Sequence, residues 1–210
     1  MSSTIEKFII DLKVRAEAKE VKLEFSNNKS LKTGEGIYCT GYFDGSESGT
    51  LAIATGLTQK IWLPILVHES CHMDQFLSGS RIWKRTDVTP ELDALALIDL
   101  WIQRKIELNK TQLRSYIGKV FLVERDCERR SILKIKKYCL PIKIVEYTKK
   151  ANSYLMLYFI VQRTRKWTKR GKRPYFIKDV WSKMPEELLT LKKCKEIYKE
   201  YLYLYKPILK

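Results

Sequence analysis

The stretch that decides the fold is Leu63–Leu77, LPILVHESCHMDQFL. Its apolar residues predict a buried helix over 58–77. Residues four apart share one face of a helix, so the imidazoles of His68 and His72 can point at the same metal ion. Glu69 lies one step round this helix, where a carboxylate can act as general base toward a water on the metal. The pattern H-E-x-x-H therefore indicates a metal site with hydrolytic chemistry.

Histidine is scarce in the rest of the chain. His68 and His72 are the two histidines among 210 residues. Catalytic zinc sites use three protein ligands and leave a fourth position for water. A third histidine is excluded within one chain, so the remaining ligand has to be a glutamate, an aspartate or a cysteine.

A second helix, predicted over 111–138, offers candidates for that ligand. Apolar residues at helical spacing continue into Glu124, Cys127 and Glu128, which places both carboxylates on the face that should be buried. Burial of two carboxylates is costly unless a metal or a cation compensates it. Cys127 could replace a carboxylate ligand, although a small buried side chain is the ordinary role of such a cysteine. Asp126 lies about 200° from Glu124 around the helix and is expected to face solvent.

These residues resemble the zincin class of zinc metallopeptidases, specifically the branch with a glutamate ligand, the gluzincins. The resemblance covers the H-E-x-x-H pattern and a later helix with E-x-x-x-[DE], over roughly residues 3–140. It implies that His68, His72 and Glu124 bind zinc, that Glu69 activates water, and that Glu128 orients a ligand histidine. The chain departs from the family in having Glu128 where Asp is usual, and Glu128 is long enough to be the ligand itself. The short basic chain also looks like small phage-encoded proteins with a metallopeptidase-like domain.

The order of predicted elements is one helix, three short strands and then helices only, which indicates an α+β fold. Pro64 is expected near the start of the motif helix. Thr89 and Pro90 are expected to open the next helix. The third strand, 50–55, is expected to be the edge strand with which an extended substrate pairs, as in zincins. The predicted strands are 21–25, 36–43 and 50–55, and the other helices are 3–19, 90–107, 147–167 and 185–204.

The net charge of +16 is unevenly distributed. Residues 1–128 contain 17 basic and 18 acidic side chains, whereas residues 129–210 contain 23 and 6. We therefore expect a metallopeptidase-like core over 1–140 and a basic helical extension over 141–210 packed on it. The segment 163–175 adds aromatic residues to its cations, which is a composition suited to phosphate contacts and base stacking. Its candidate contacts to nucleic acid are Arg163, Arg165, Lys166, Trp167, Lys169, Arg170, Lys172 and Arg173.

Several classes of protein are disfavoured by the composition. The longest apolar runs fall short of the roughly 18 residues that a membrane span needs, and the N-terminus has no secretion signal. The five cysteines are odd in number and form no C-x-x-C pair, which argues against a disulfide framework and for a reducing compartment. A cytoplasmic location is expected, in the host cytoplasm if the protein is phage-encoded.

The sequence thus leads to three hypotheses. The first is a zinc-dependent endopeptidase in which Glu69 is the general base. The second is a basic protein associated with nucleic acid, whose zincin core is structural or acts on DNA-bound proteins. The third is a pseudo-enzyme in which zinc only stabilises the fold.

Overall fold

The computed structural model describes residues 3–34, 36, 38–46, 49–169 and 171–210. It confirms a mixed α+β fold that combines many helices with a small sheet. The chain forms two compact units. Unit 1 contains Met1–Ser80 and Arg130–Ile142, and unit 2 contains Arg81–Arg129 and Lys143–Lys210. The expected division into domains 1–140 and 141–210 stays a prediction.

Unit 1 contains the sheet and the motif helix. Its elements are α1 (Ser3–Glu17), β1 (Lys22–Ser26), β2 (Leu31–Lys32), β3 (Tyr38–Cys39), β4 (Gly41–Asp44), β5 (Thr50–Ala54), α2 (Gln59–Leu77) and the last part of α5 (Lys110–Lys137). The three-stranded sheet has the order β1-β5-β4, and β2 and β3 form a separate antiparallel pair. β5 runs parallel to β1 and antiparallel to β4.

The sheet order corrects one expectation from the sequence. β5 was expected at the edge, but it lies in the centre and pairs on both sides. Four of its five residues are buried, as in a strand covered on both faces. Its antiparallel neighbour β4 is an edge strand of the sheet. β4 packs closely on α2, because a Cβ added to Gly41 would lie 2.9 Å from Cγ2 of Ile65.

The motif helix is confirmed, and the expected position of its proline is wrong. α2 begins at Gln59 after the N-cap residue Thr58, so Pro64 lies inside the helix. A proline there donates no hydrogen bond to the carbonyl of Lys60, four residues earlier. Tertiary packing compensates this loss, because the helix buries Leu63, Leu66, Val67 and Met73 in unit 1.

The long helix α5 is confirmed, and its start has a clear local cause. Asn109 Oδ1 accepts hydrogen bonds from the backbone N–H groups of Thr111 and Gln112. Gln112 Oε1 accepts in return from the backbone N–H of Asn109. This reciprocal capping box fixes the first turn.

Unit 2 is helical. It contains α3 (Arg81–Lys84), α4 (Ala94–Ile102), the first part of α5, α6 (Ile144–Thr164), α7 (Lys178–Trp181) and α8 (Leu191–Tyr205), with 3-10 turns at Pro174–Phe176 and Lys206–Ile208. The seven consecutive residues Leu155–Val161 are all buried, which makes α6 the central helix of this unit. α4 begins later than expected because Asp93 caps it, whereas Thr89 caps only the preceding turn.

Candidate metal centre

The two histidines of α2 converge as their spacing predicts. The Nε2 atoms of His68 and His72 lie 3.1 Å apart, and the ring planes are inclined by 82°. His72 is buried and His68 is half-buried. Two imidazole nitrogens at this separation can ligate one ion.

Gln75 orients His72 from the next turn of the helix. Its Oε1 lies 2.9 Å from His72 Nδ1, and the glutamine side chain is fully buried. An amide oxygen only accepts hydrogen bonds, so a hydrogen bond between these two atoms requires the proton of His72 to be on Nδ1. Nε2 then carries the lone pair that a metal ion needs. Sequence reasoning missed this residue, and its position three after His72 is the signal that could have revealed it.

The ligand atoms of His68, His72 and Cys127 all lie within 4.8 Å of one another. Cys127 is fully buried. Among the described residues this group could bind a metal ion, and neither Glu124 nor Glu128 is a member of it. The sequence analysis names Cys127 as a possible replacement for the carboxylate ligand. The assignment of Glu124 as third ligand stays a prediction.

The donor set fits a metal of intermediate softness. Zinc binds imidazole nitrogen and thiolate sulfur in tetrahedral sites. Zn–N bonds of about 2.0–2.1 Å at a tetrahedral angle place two ligand nitrogens about 3.3 Å apart, and the observed distance is 3.1 Å. The same residues also suit copper, which takes two histidines and a cysteine in electron-transfer proteins.

Glu124 is buried, as the helical period predicted, and it contacts a tyrosine of α6. Tyr158 Oη donates a hydrogen bond to Glu124 Oε1 at 3.3 Å. Burial, and next the negative charge of Glu124, raise the pKa of Tyr158 well above its usual value. The phenol therefore remains protonated and keeps its role as donor.

Glu128 is also buried and has a tyrosine donor of its own. Tyr147 Oη donates to Glu128 Oε2 at 2.6 Å, a short charge-assisted bond. The proposed role of Glu128, to orient a ligand histidine, stays a prediction. The expectation that Asp126 faces solvent is wrong: it is 8% exposed and pairs with Arg129 at 2.9 Å.

Glu69 follows His68 directly on α2 and is half-buried. Glu69 is thus a partly accessible residue one step round the helix from His68. Cys71, the other cysteine of the motif, is fully buried, and Ser131 Oγ donates to its Sγ at 3.4 Å. Its role as a small buried side chain agrees with the ordinary expectation.

A cluster of charges fixes the motif helix within unit 1. Lys134 Nζ donates to the backbone oxygen of Ser70 at 3.0 Å and to Ser70 Oγ at 2.8 Å. It also pairs with Asp74 Oδ2 at 2.7 Å, and Arg15 pairs with the other carboxylate oxygen of Asp74. Ser70 and Asp74 flank His72 in sequence, so these bonds hold the backbone that carries the imidazoles. No pattern in the sequence indicates this cluster.

The basic segment of unit 2 uses two of its predicted nucleic-acid contacts internally. Arg165 Nε donates to the backbone oxygen of Trp101 at 2.7 Å, and the guanidinium lies over the ring of Trp101 at 4.8 Å. Arg165 also pairs with Glu107 at 2.9 Å. Trp167 is half-buried, and its Nε1 donates to Asp99. These contacts assign both side chains a structural role.

The remaining members of the predicted contact set differ in exposure. Arg163, Lys166, Lys169 and Lys172 are exposed, and Arg173 is half-buried. Arg170 lies outside the described residues. Their contact with nucleic acid stays a prediction.

None of the described helices combines the length and the apolar character that crossing a membrane requires.

Comparisons with models of protein families, with curated protein sequences and with solved structures find no match to this chain. The resemblance to zincins therefore rests on the residues of α2 and α5.

Proposed function

We propose that the protein is a zinc-dependent hydrolase of the peptidase type, in which Glu69 is the general base. The observation that carries this proposal is the convergence of His68 Nε2 and His72 Nε2 at 3.1 Å, with His72 oriented by Gln75. A buried glutamine whose amide fixes the imidazole tautomer is the kind of support that metal-binding histidines have.

Zinc, when bound, polarises a carbonyl and lowers the pKa of water, so that a nucleophile forms near neutral pH. The residues of the chain supply the rest of the chemistry. Glu69 accepts a proton from the attacking water and can return it to the leaving amine. Its half-buried position suits this role, because a general base needs access to water and a reduced dielectric.

Cys127 is the third protein ligand that the geometry supports best. Its sulfur lies with the two imidazoles in the group that could hold a metal, whereas Glu124 accepts a hydrogen bond from Tyr158. Two neutral histidines and one thiolate would give zinc a ligand set of charge −1. The donors also suit copper, so elemental analysis of the purified protein has to establish the metal.

Peptide is the substrate class that the sheet favours. β4 is an antiparallel edge strand, and it packs on the helix that carries His68 and Glu69. An extended peptide can add to such an edge through main-chain hydrogen bonds. The strand that pairs with substrate would therefore be β4, and not β5 as the sequence predicts.

The test is hydrolysis of a mixture of quenched fluorescent peptides by the zinc-loaded full chain. Glu69→Gln should lower the rate by about 100-fold or more while zinc content is unchanged, because only the proton acceptor is lost. The control is Glu91→Gln, which alters an exposed glutamate that precedes α4. Equal rates in Glu69→Gln and in the unaltered chain would contradict the proposal.

A structural zinc site is the second candidate, because the sulfur donor Cys127 is fully buried and closed structural sites use cysteine and histidine. The two candidates differ in a simple experiment. A structural site predicts that zinc removal lowers the unfolding midpoint and that the zinc-loaded chain hydrolyses none of the peptides. The hydrolase predicts activity that a chelator abolishes and added zinc restores.

A further inference from the structure

Unit 2 contains an open cleft that the metal centre does not involve. Its cavity volume is about 470 Å³, within the range of about 300–1,000 Å³ of small-ligand sites. The walls come from the start of α5, the end of α6 and the middle of α8. The lining residues are Lys110, Leu113, Arg114, Phe159, Gln162, Arg163, Lys195 and Tyr198.

The polar part of this lining is strongly basic. Lys110, Arg114, Arg163 and Lys195 are all exposed, and the lining residues include no carboxylate. Unit 2 contains 28 basic and 14 acidic residues, a net charge of +14, whereas unit 1 contains 12 and 10. The cleft thus lies in the unit that carries nearly all of the excess charge, and its ligand should be an anion.

The floor of the cleft is apolar and aromatic. Leu113 and Phe159 are buried, and Tyr198 is half-buried. The rings of Phe159 and Tyr198 lie 6.0 Å apart with their planes inclined by only 31°. A cleft for inorganic phosphate alone needs no such floor, whereas a ligand that combines phosphate with a flat ring would contact both parts.

We propose that this cleft binds single-stranded nucleic acid, with phosphates on its four cations and a base on Tyr198. A base in a duplex is already stacked and cannot reach an aromatic side chain inside a cleft, so the tyrosine favours a single strand. The charge that unit 2 carries beyond the cleft favours a polyanion over a free nucleotide. Of the basic segment 163–175, Arg163 lines the cleft, whereas Arg165 and Trp167 do not.

The experiment is fluorescence anisotropy of a labelled 12-nucleotide poly-dT strand with the full chain at several salt concentrations. The double variant Arg114→Gln/Arg163→Gln should bind at least about tenfold more weakly at low salt. It should also reduce the slope of log K against log salt by about 1.4, since each phosphate contact to a single strand contributes about 0.7. The control Lys183→Gln/Lys206→Gln removes two exposed cations from unit 2 outside the cleft lining and should retain binding.

A second pair of variants tests the stacking position without loss of charge. Tyr198→Ala should weaken binding by about fivefold or more, and Tyr198→Phe should retain affinity because the ring is kept. Circular dichroism verifies that each variant is folded. Equal losses in the cleft and control doubles would overturn the proposal, as would a 12-base-pair duplex or free dTMP that binds as tightly as the strand. Peptide hydrolysis, measured on the same variants, should be unchanged, so this proposal and the proposed function fail separately.

Discussion

Two groups of polar side chains inside the protein differ in what their hydrogen bonds leave available. On α2, Gln75 Oε1 can accept a hydrogen bond from Nδ1–H of His72, which leaves Nε2 in the form that binds a metal. On α5, Glu124 and Glu128 accept hydrogen bonds from the hydroxyl groups of Tyr158 and Tyr147. The first arrangement prepares a metal ligand, whereas the second places a phenol donor on one oxygen of each buried carboxylate. The difference teaches that burial of a carboxylate is insufficient to identify it as a metal ligand.

The largest expected effect follows removal of an imidazole. His72→Ala should abolish stoichiometric metal binding, because one of the two converging nitrogens is lost. The measurement is metal content per chain after equilibrium dialysis against a defined zinc concentration. Retention of one metal per chain by this variant would show that the α2 pair is not a binding site.

The next largest effect is expected from loss of Gln75, the residue that orients His72. Gln75→Leu should weaken zinc affinity by about 10- to 100-fold, as loss of a hydrogen-bond partner of a ligand histidine commonly does. Gln75→Glu keeps an acceptor at Nδ1 and should retain most of the affinity. Gln103→Leu, at an exposed position after α4, is the matched control. Zinc affinities are measured by competition with a chelator.

The tyrosine donors should affect stability instead of metal affinity. Tyr147→Phe removes a 2.6 Å bond to a buried carboxylate and should lower the free energy of unfolding by about 1.5–3 kcal/mol. Tyr158→Phe removes a 3.3 Å bond and should cost less, about 1 kcal/mol. Urea denaturation measures both. A loss of zinc affinity in Tyr158→Phe, larger than its loss of stability, would indicate that Glu124 acts at the metal after all.

A further effect on stability appears at alkaline pH. Burial raises the pKa of Tyr158 and Tyr205 well above the usual value, and it raises the pKa of Cys194 from 9.0 to about 12. A raised pKa in the folded state stabilises the protein below the unfolded pKa, and this contribution is lost as the pH rises through the folded value. The urea midpoint should therefore fall from about pH 9 upward, and Cys194→Ala should reduce that fall. A midpoint that is constant between pH 8 and 11 would contradict this explanation.

The sequence predicted those parts of the site that depend on one helix. The convergence of His68 and His72 follows from a spacing of four, and the burial of Glu124 and Glu128 follows from the apolar stripe of α5. The sequence leaves Glu124, Cys127 and Glu128 open as the third ligand, since the choice depends on side-chain length and on how α5 is rotated. The burial of Asp126 likewise depends on how α5 is rotated, so the sequence did not predict it.

Other features of the structure depend on contacts between segments that are distant in sequence. Strand order in a sheet is set by pairing between distant segments, so the local sequence does not reveal that β5 pairs with both β1 and β4. The continuous apolar run of β5 is nevertheless typical of a central strand. Arg165 and Trp167 have the composition of a nucleic-acid contact, but Trp101, Glu107 and Asp99 bind them within unit 2. A contact of these two side chains with nucleic acid stays a prediction.

The most direct test of the metal centre is the absorption spectrum of the cobalt-substituted chain, since a thiolate ligand gives a sulfur-to-cobalt charge-transfer band and a carboxylate does not. The proposed ligand set of His68, His72 and Cys127 predicts that the unaltered chain and Glu124→Gln show this band, and that Cys127→Ser loses it. A spectrum without the band in the unaltered chain, or a Glu124→Gln variant that no longer binds cobalt, would contradict it.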